Sequence, residues 1–213
     1  MIPQLKLAEL LCTRLCHDLT GPIGAIANGA ELMSEEGARM QDQAADLISS
    51  SAAQAVARVQ FYRRAYGRIN ENGEANIEEL KKITHDFFTG SKVVVDWPDT
   101  HTDSSGISIS YKMGRLLLNL FIIASATLLR GGTLAVRLAA GDTIKSVHVL
   151  ASGKLVKWDK EIEDSLSGLI ALEALTPKLA QAYMTRLLAE ELGTSLSWQI
   201  TAESVELTAY RKL

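Results

Sequence analysis

Apolar residues recur at helical spacing from Leu5 to Met33, through Leu11, Leu15, Leu19, Ile23, Ile26 and Ala30, and predict one long amphipathic helix. The pattern stops at Ser34-Glu35-Glu36-Gly37, where Gly37 can take the left-handed conformation that ends helices. A second stripe follows in steps of three and four: Ile48, Ala52, Ala55, Val59, Tyr62 and Tyr66. The short link between the two predicts an antiparallel helical hairpin. The polar run from Arg68 to Gly73 marks a boundary, giving a hairpin domain over 1–70 and a second domain over 74–213.

The second domain mixes periods. Asn76 followed by Glu79 resembles a capping box opening a helix to about Phe88. Lys92 to Trp97, valine-rich and closed by Pro98, predicts a strand, and Ile107 to Ser110 a short one. Met113 to Leu129 reads as a buried helix ended by Gly131-Gly132. Thr133–Leu138 and Ile144–Leu150 predict a hairpin turning at Gly141-Asp142. A last helix, Lys178 to Leu192, stops at Gly193 ahead of two strands, Ser195–Ile200 and Ser204–Ala209. The class is α+β, a helical hairpin followed by a two-layer α/β sandwich.

Composition narrows the options. A chain of 213 residues holds one or two domains, and 47% apolar with 22% charged residues excludes a disordered chain. A formal charge of −3 leaves no electrostatic footprint for nucleic acid or an anionic membrane. The most apolar window, Leu116 to Leu129, is 14 residues long and contains Asn119. A membrane-spanning helix needs about 20, so this is a core helix. No secretory signal is evident, and Cys12 and Cys16, four apart on one helix, read as free, buried thiols of a reducing compartment. The expectation is a soluble cytoplasmic protein.

The residues that carry chemistry surround His17. On a helix its neighbours are Thr13, Arg14, Thr20, Gly21, Gly24 and Asn28, all polar or small. Leu11, Leu15, Leu19, Pro22, Ile23 and Ile26 form the opposite face, so His17 points to solvent. Gly21, Pro22 and Gly24 are costly within a helix, about 1 kcal/mol for each glycine and more for proline. Small side chains there leave room for another protein's backbone or a phosphoryl group. Imidazole, with an unperturbed pKa of about 6.5, is mostly neutral and nucleophilic at cytoplasmic pH. It can accept a phosphoryl group on one nitrogen while a neighbouring acid such as Asp18 holds the other.

His17-Asp18-Leu19-Thr20-Gly21-Pro22 resembles the H-box of sensor histidine kinases, and the longer run Cys16 to Gly29 resembles the ChpT-type histidine phosphotransferases of alphaproteobacterial phosphorelays. The resemblance implies a histidine-kinase-like fold with His17 as phosphoacceptor and Asp18 orienting its ring. Arg14, Thr20, Gly21, Gly24 and Asn28 then form a docking surface. The implied partners are receiver domains of a hybrid histidine kinase and of response regulators. Magnesium belongs to the receiver, and the chain itself takes no cofactor. A kinase's nucleotide boxes fail here: Ile123 replaces the magnesium-binding asparagine after Asn119, Ala151-Ser152-Gly153 lacks the adenine-reading aspartate, and Ala174 to Leu179 lacks the glycines that approach a triphosphate. A receiver-binding scaffold that carries no phosphate and an ATP-dependent kinase are the alternatives.

The two apolar stripes together exceed what one hairpin can bury, which predicts a homodimer through a four-helix bundle. His85, His101 and His148 show no ligand spacing. Cys16 and His17 diverge on a helix, against a metal cluster with Cys12. Arg58, Arg63, Arg64 and Arg68 read as a solvated face, with attraction for a receiver's acidic pocket as the second reading.

Overall fold

The structure is a computed structural model that describes residues 3–34, 38–67, 73–97, 109–140 and 144–211. Two helices, α1 (Pro3–Leu32) and α2 (Ala38–Tyr66), form the antiparallel hairpin expected from the two stripes. Gly29 sets their closest approach: a Cβ there would lie 2.7 Å from Ile48 Cγ1 and 3.3 Å from the Ala44 carbonyl oxygen. The Gly37 stop, the Arg68–Asn72 stretch, Pro98, His101, Ile107 and the Gly141-Asp142 turn lie outside the described residues.

Beyond the hairpin come β1 (Glu74–Ala75), α3 (Ile77–Phe88), β2 (Val93–Asp96), β3 (Ile109–Ser110) and α4 (Tyr111–Ala126). They are followed by β4 (Gly132–Ala140), β5 (Ile144–Ser152), α5 (Lys160–Leu166), α6 (Pro177–Glu191), β6 (Thr194–Ile200) and β7 (Ser204–Arg211). Asn76 does cap α3, its side chain accepting from the amides of Glu78 and Glu79. Gly193, at φ +62°, ends the α6 segment. Two elements had no sequence signal. β1 is two residues long and pairs antiparallel with β3, and α5 is a short charged helix capped by Asp159.

Five strands form one sheet in the order β2-β4-β5-β7-β6, with β2 and β4 parallel and the rest antiparallel. Alternate residues Leu134, Val136, Val147, Val149, Val205 and Leu207 are buried beneath α4 and its neighbours, in a single aliphatic core. The other face is polar. Arg137 pairs with Glu206, which lies 3.6 Å from His148, and the Thr208 hydroxyl is 3.1 Å from the same imidazole. His148 is thus a sheet-surface residue.

The base of the hairpin is fused to this layer. Phe61 stacks on Phe87 with centroids 4.0 Å apart, and Phe61, Tyr62 and Ala65 belong to the same core as α4. Helix ends leave carbonyls without intrahelical donors. The last turn of α2 solves this with α4 side chains: Arg115 donates to the Ala65 and Tyr66 carbonyls at 3.2 and 2.9 Å, and Asn119 donates to Ala65 at 2.8 Å. The last two positions of the second stripe, Tyr62 and Tyr66, thus pack against the chain's own second layer. Among the described residues no helix is long and apolar enough to cross a membrane.

Candidate functional site

His17 projects from the middle of α1 with its side chain 86% exposed. Around it Thr13, Thr20, Gly21 and Asn28 are exposed, and Arg14 and Gly24 are half-buried. The Thr13 and Thr20 hydroxyls turn back onto the carbonyls of Glu9 and Cys16, both at 2.8 Å. A Cβ on Gly21 or Gly24 would meet nothing within 4 Å, so the fold itself does not require glycine there. Unlike Gly29, these two keep a surface low for something outside the chain.

The helix face differs from expectation at two places. Cys12 and Cys16 are free but exposed, not buried, because they lie on the solvent side of α1. Ile23, assigned to the buried face, is 54% exposed. Leu15, by contrast, packs against the core, and Pro22 is buried.

Asp18 turns inward from His17 toward α2. Its Oδ1 lies 3.1 Å from His17 Nδ1. Its Oδ2 accepts a hydrogen bond from the Tyr62 hydroxyl and sits 3.9 Å from Arg14 Nε. An ionised carboxylate can only accept, so the shared proton resides on Nδ1 and the Nε2 lone pair faces solvent. Burial, then the hydrogen bond to Asp18, push the Tyr62 phenol well above its ordinary range, keeping it a donor. Tyr66 stacks on Tyr62 at 5.2 Å, and burial pushes it up to about 12. Its hydroxyl donates to Gln181, whose amide donates to Asn119 at 2.7 Å.

The proline has a specific partner. Pro22 has no N–H, and in a helix that N–H would have bonded the carbonyl four residues back, that of Asp18. Arg58 of α2 donates to this same Asp18 carbonyl. The proline thus opens an acceptor directly beneath the histidine, and a cation from the second helix fills it. This corrects the reading of the arginines as one solvated face. Arg58 is spent on Asp18, and Arg64 pairs with Glu79 at 2.5 Å beneath the Tyr111 ring. Arg63 remains exposed, and Arg68 is outside the described residues.

Positions at which the sequence departs from a kinase's nucleotide boxes, and their neighbours, serve the fold. Asn119 and Gln181 are buried and bonded to each other, Ala151 is fully buried in β5, and Pro177 opens α6. Residues 77–204 match the family described as "Histidine phosphotransferase C-terminal domain". The chain is 34% identical over 209 residues to the protein phosphotransferase ChpT of Brucella abortus, covering 98% of this chain and 97% of that one. The chain belongs to the histidine phosphotransferase family. A solved bacterial phosphotransferase, also 34% identical, superposes with a TM-score of 0.80 over 96% of both chains. That similarity spans hairpin and sheet layer alike, so the family's arrangement is the one found here.

Tyr62 and Arg58 are the site residues that sequence reasoning missed. They lie 40 and 44 positions from Asp18, beyond any helical periodicity. The missing amide of Pro22 was the one local signal that a donor had to arrive from elsewhere.

Proposed function

We propose that this chain carries phosphoryl groups between receiver-domain aspartates in a two-component phosphorelay, with His17 as the carrier. The observation that supports this best is an exposed imidazole whose Nδ1 is tied to Asp18 while Nε2 stays free beside small, polar neighbours. In the transfer, the Nε2 lone pair attacks phosphorus in line and the receiver's aspartyl O–P bond breaks, releasing the carboxylate. The phosphorylated ring keeps its Nδ1 proton and becomes cationic, and the Asp18 carboxylate stabilises that charge. Attack by a second receiver's carboxylate reverses the steps and restores neutral His17. No proton has to leave the ring. Magnesium and the acidic pocket belong to the receiver, and this chain takes no cofactor. Arg14, Thr20, Gly21, Gly24 and Asn28 form the docking surface.

The hairpin over 1–70 is the phosphotransfer unit, the region 74–213 its fused support, and the pair works in the cytoplasm. Ile23 and Met33 on α1, with Met40, Val56 and Val59 on α2, are exposed apolar side chains. Their exposure supports a homodimeric four-helix bundle, in which two hairpins would cover them. Light scattering at micromolar concentration should give twice the 23.1 kDa chain mass, and a single-chain mass would remove the dimer from the reading.

The functional test is label transfer. A radiolabelled phosphoreceiver should label the wild-type chain and not His17→Ala, and labelled ATP alone should label neither. Unchanged labelling of His17→Ala would move the acceptor elsewhere. Receiver binding without any label would favour the scaffold.

A further inference from the structure

The helices that cover the sheet leave a cavity of about 320 Å³ between α4, the segment before α5, and the start of α6. That volume is at the small end of ligand sites, which run to roughly 300–1,000 Å³. Its walls are of two kinds. Ile123, Ile162 and Trp158 supply an apolar floor, with the indole fixed by a 2.8 Å hydrogen bond from its Nε1 to Glu163. Arg14, Lys157 and Lys178 supply three cations at the rim, against the single carboxylate of Asp159.

The cations are not equally committed. Lys178 is held by Asp159 at 2.5 Å and Glu161 at 2.9 Å. Arg14 Nε is buried without a hydrogen-bond partner, its nearest carboxylate oxygen being Asp18 Oδ2 at 3.9 Å. The Lys157 side chain is exposed and forms no ion pair among the described residues. A nucleotide does not suit this lining. Ile123 offers no oxygen to a metal, and α6 opens on Pro177 in place of a glycine run.

We infer that the cavity is a site for a small amphipathic anion, a flat apolar body bearing one carboxylate, sulfonate or phosphate. The body lies on Ile123, Ile162 and Trp158, and the anionic group takes Arg14 and Lys157. Occupancy is felt at the phosphotransfer site, because drawing Arg14 onto the ligand removes a cation from beside Asp18. With that cation gone, the Asp18 carboxylate draws more strongly on the His17 Nδ1–H, 3.1 Å away. This second half rests on the proposed roles of His17 and Asp18, whereas the binding itself does not.

Anilinonaphthalene sulfonate has the required shape and charge and serves as the probe, titrated into the full chain by fluorescence. Saturable binding of one probe per chain is expected. It should weaken at least tenfold in Lys157→Glu, an exposed position, and in Ala126→Trp, which narrows the mouth. Circular dichroism confirms that both variants fold. Absence of saturable binding, or affinity unchanged in both folded variants, overturns the site. With the probe bound, the NMR resonances of the His17 ring protons should shift. Saturable, variant-sensitive binding with unmoved His17 resonances would overturn the link to Asp18.

Discussion

If Arg58 fills the acceptor opened by Pro22, the two residues must be energetically coupled, and a double-mutant cycle reads the coupling. In the native chain Arg58→Met strips the Asp18 carbonyl of its donor from α2 while keeping most of the apolar stem. A hydrogen bond from a charged donor contributes about 1.5–3 kcal/mol, and this one is partly buried, so water replaces the guanidinium poorly. The expected loss is about 2 kcal/mol. Pro22→Ala restores an N–H that reaches the same carbonyl through the helix itself. In that background Arg58→Met should cost less than about 1 kcal/mol, leaving an interaction of about 1 kcal/mol or more. Urea unfolding of the four proteins measures it. Additivity to within about 0.5 kcal/mol would refute the pairing.

Tyr62→Phe keeps the ring contacts to Tyr66 and Phe87 at 5.2 and 5.6 Å but deletes the hydroxyl that steadies Asp18. A loss of positioning near 1.4 kcal/mol slows receiver-to-chain transfer about tenfold, whereas Tyr66→Phe, whose hydroxyl serves Gln181, should transfer normally; equal slowing in stopped transfer assays would mean a general packing defect. Gly29→Ala should cost about 1–3 kcal/mol because its Cβ collides with Ile48, while Gly21→Ala should stabilise the helix by about 0.5–1 kcal/mol and yet slow transfer by crowding the docking surface. Thermal melts paired with transfer rates separate the two glycines. Tyr62 and Tyr66 both ionise above the ordinary tyrosine value of 10.0 in the folded chain, so their contribution is intact below that pH and is lost as pH rises through their folded values, about 12 for Tyr66. Denaturant midpoints should fall from pH 10 upward, and less steeply in the double Phe variant.

Long periodic elements were legible because burial acts on every turn of them. The two hairpin helices, the helix from Tyr111, the hairpin of β4 and β5 and the closing pair of strands all announce themselves by spacing. β1 and α5 did not, since two residues carry no period and the run Lys160–Leu166 spans only two turns, with Ser165 and Leu166 its buried positions. The usual burial of cysteine makes Cys12 and Cys16 read as core residues, whereas both lie on the solvent side of α1. The candidate histidine was visible through its small neighbours and the cost of Pro22. The groups behind it were not: Tyr62 and Arg58 meet Asp18 only through the hairpin's fold, and each also satisfied a simpler local reading, as an apolar stripe and a solvated face.

The measurement that bears most directly on the account is the location of the phosphoryl group itself. The chain is phosphorylated by a receiver domain and read by phosphorus NMR together with electron-transfer mass spectrometry, which keep the P–N bond intact and resolve the ring nitrogen. With Nδ1 held by Asp18 at 3.1 Å, the account predicts one phosphohistidine, at His17 and on Nε2. Phosphate on Nδ1, on another residue, or on no residue while the receiver still loses its own would contradict it.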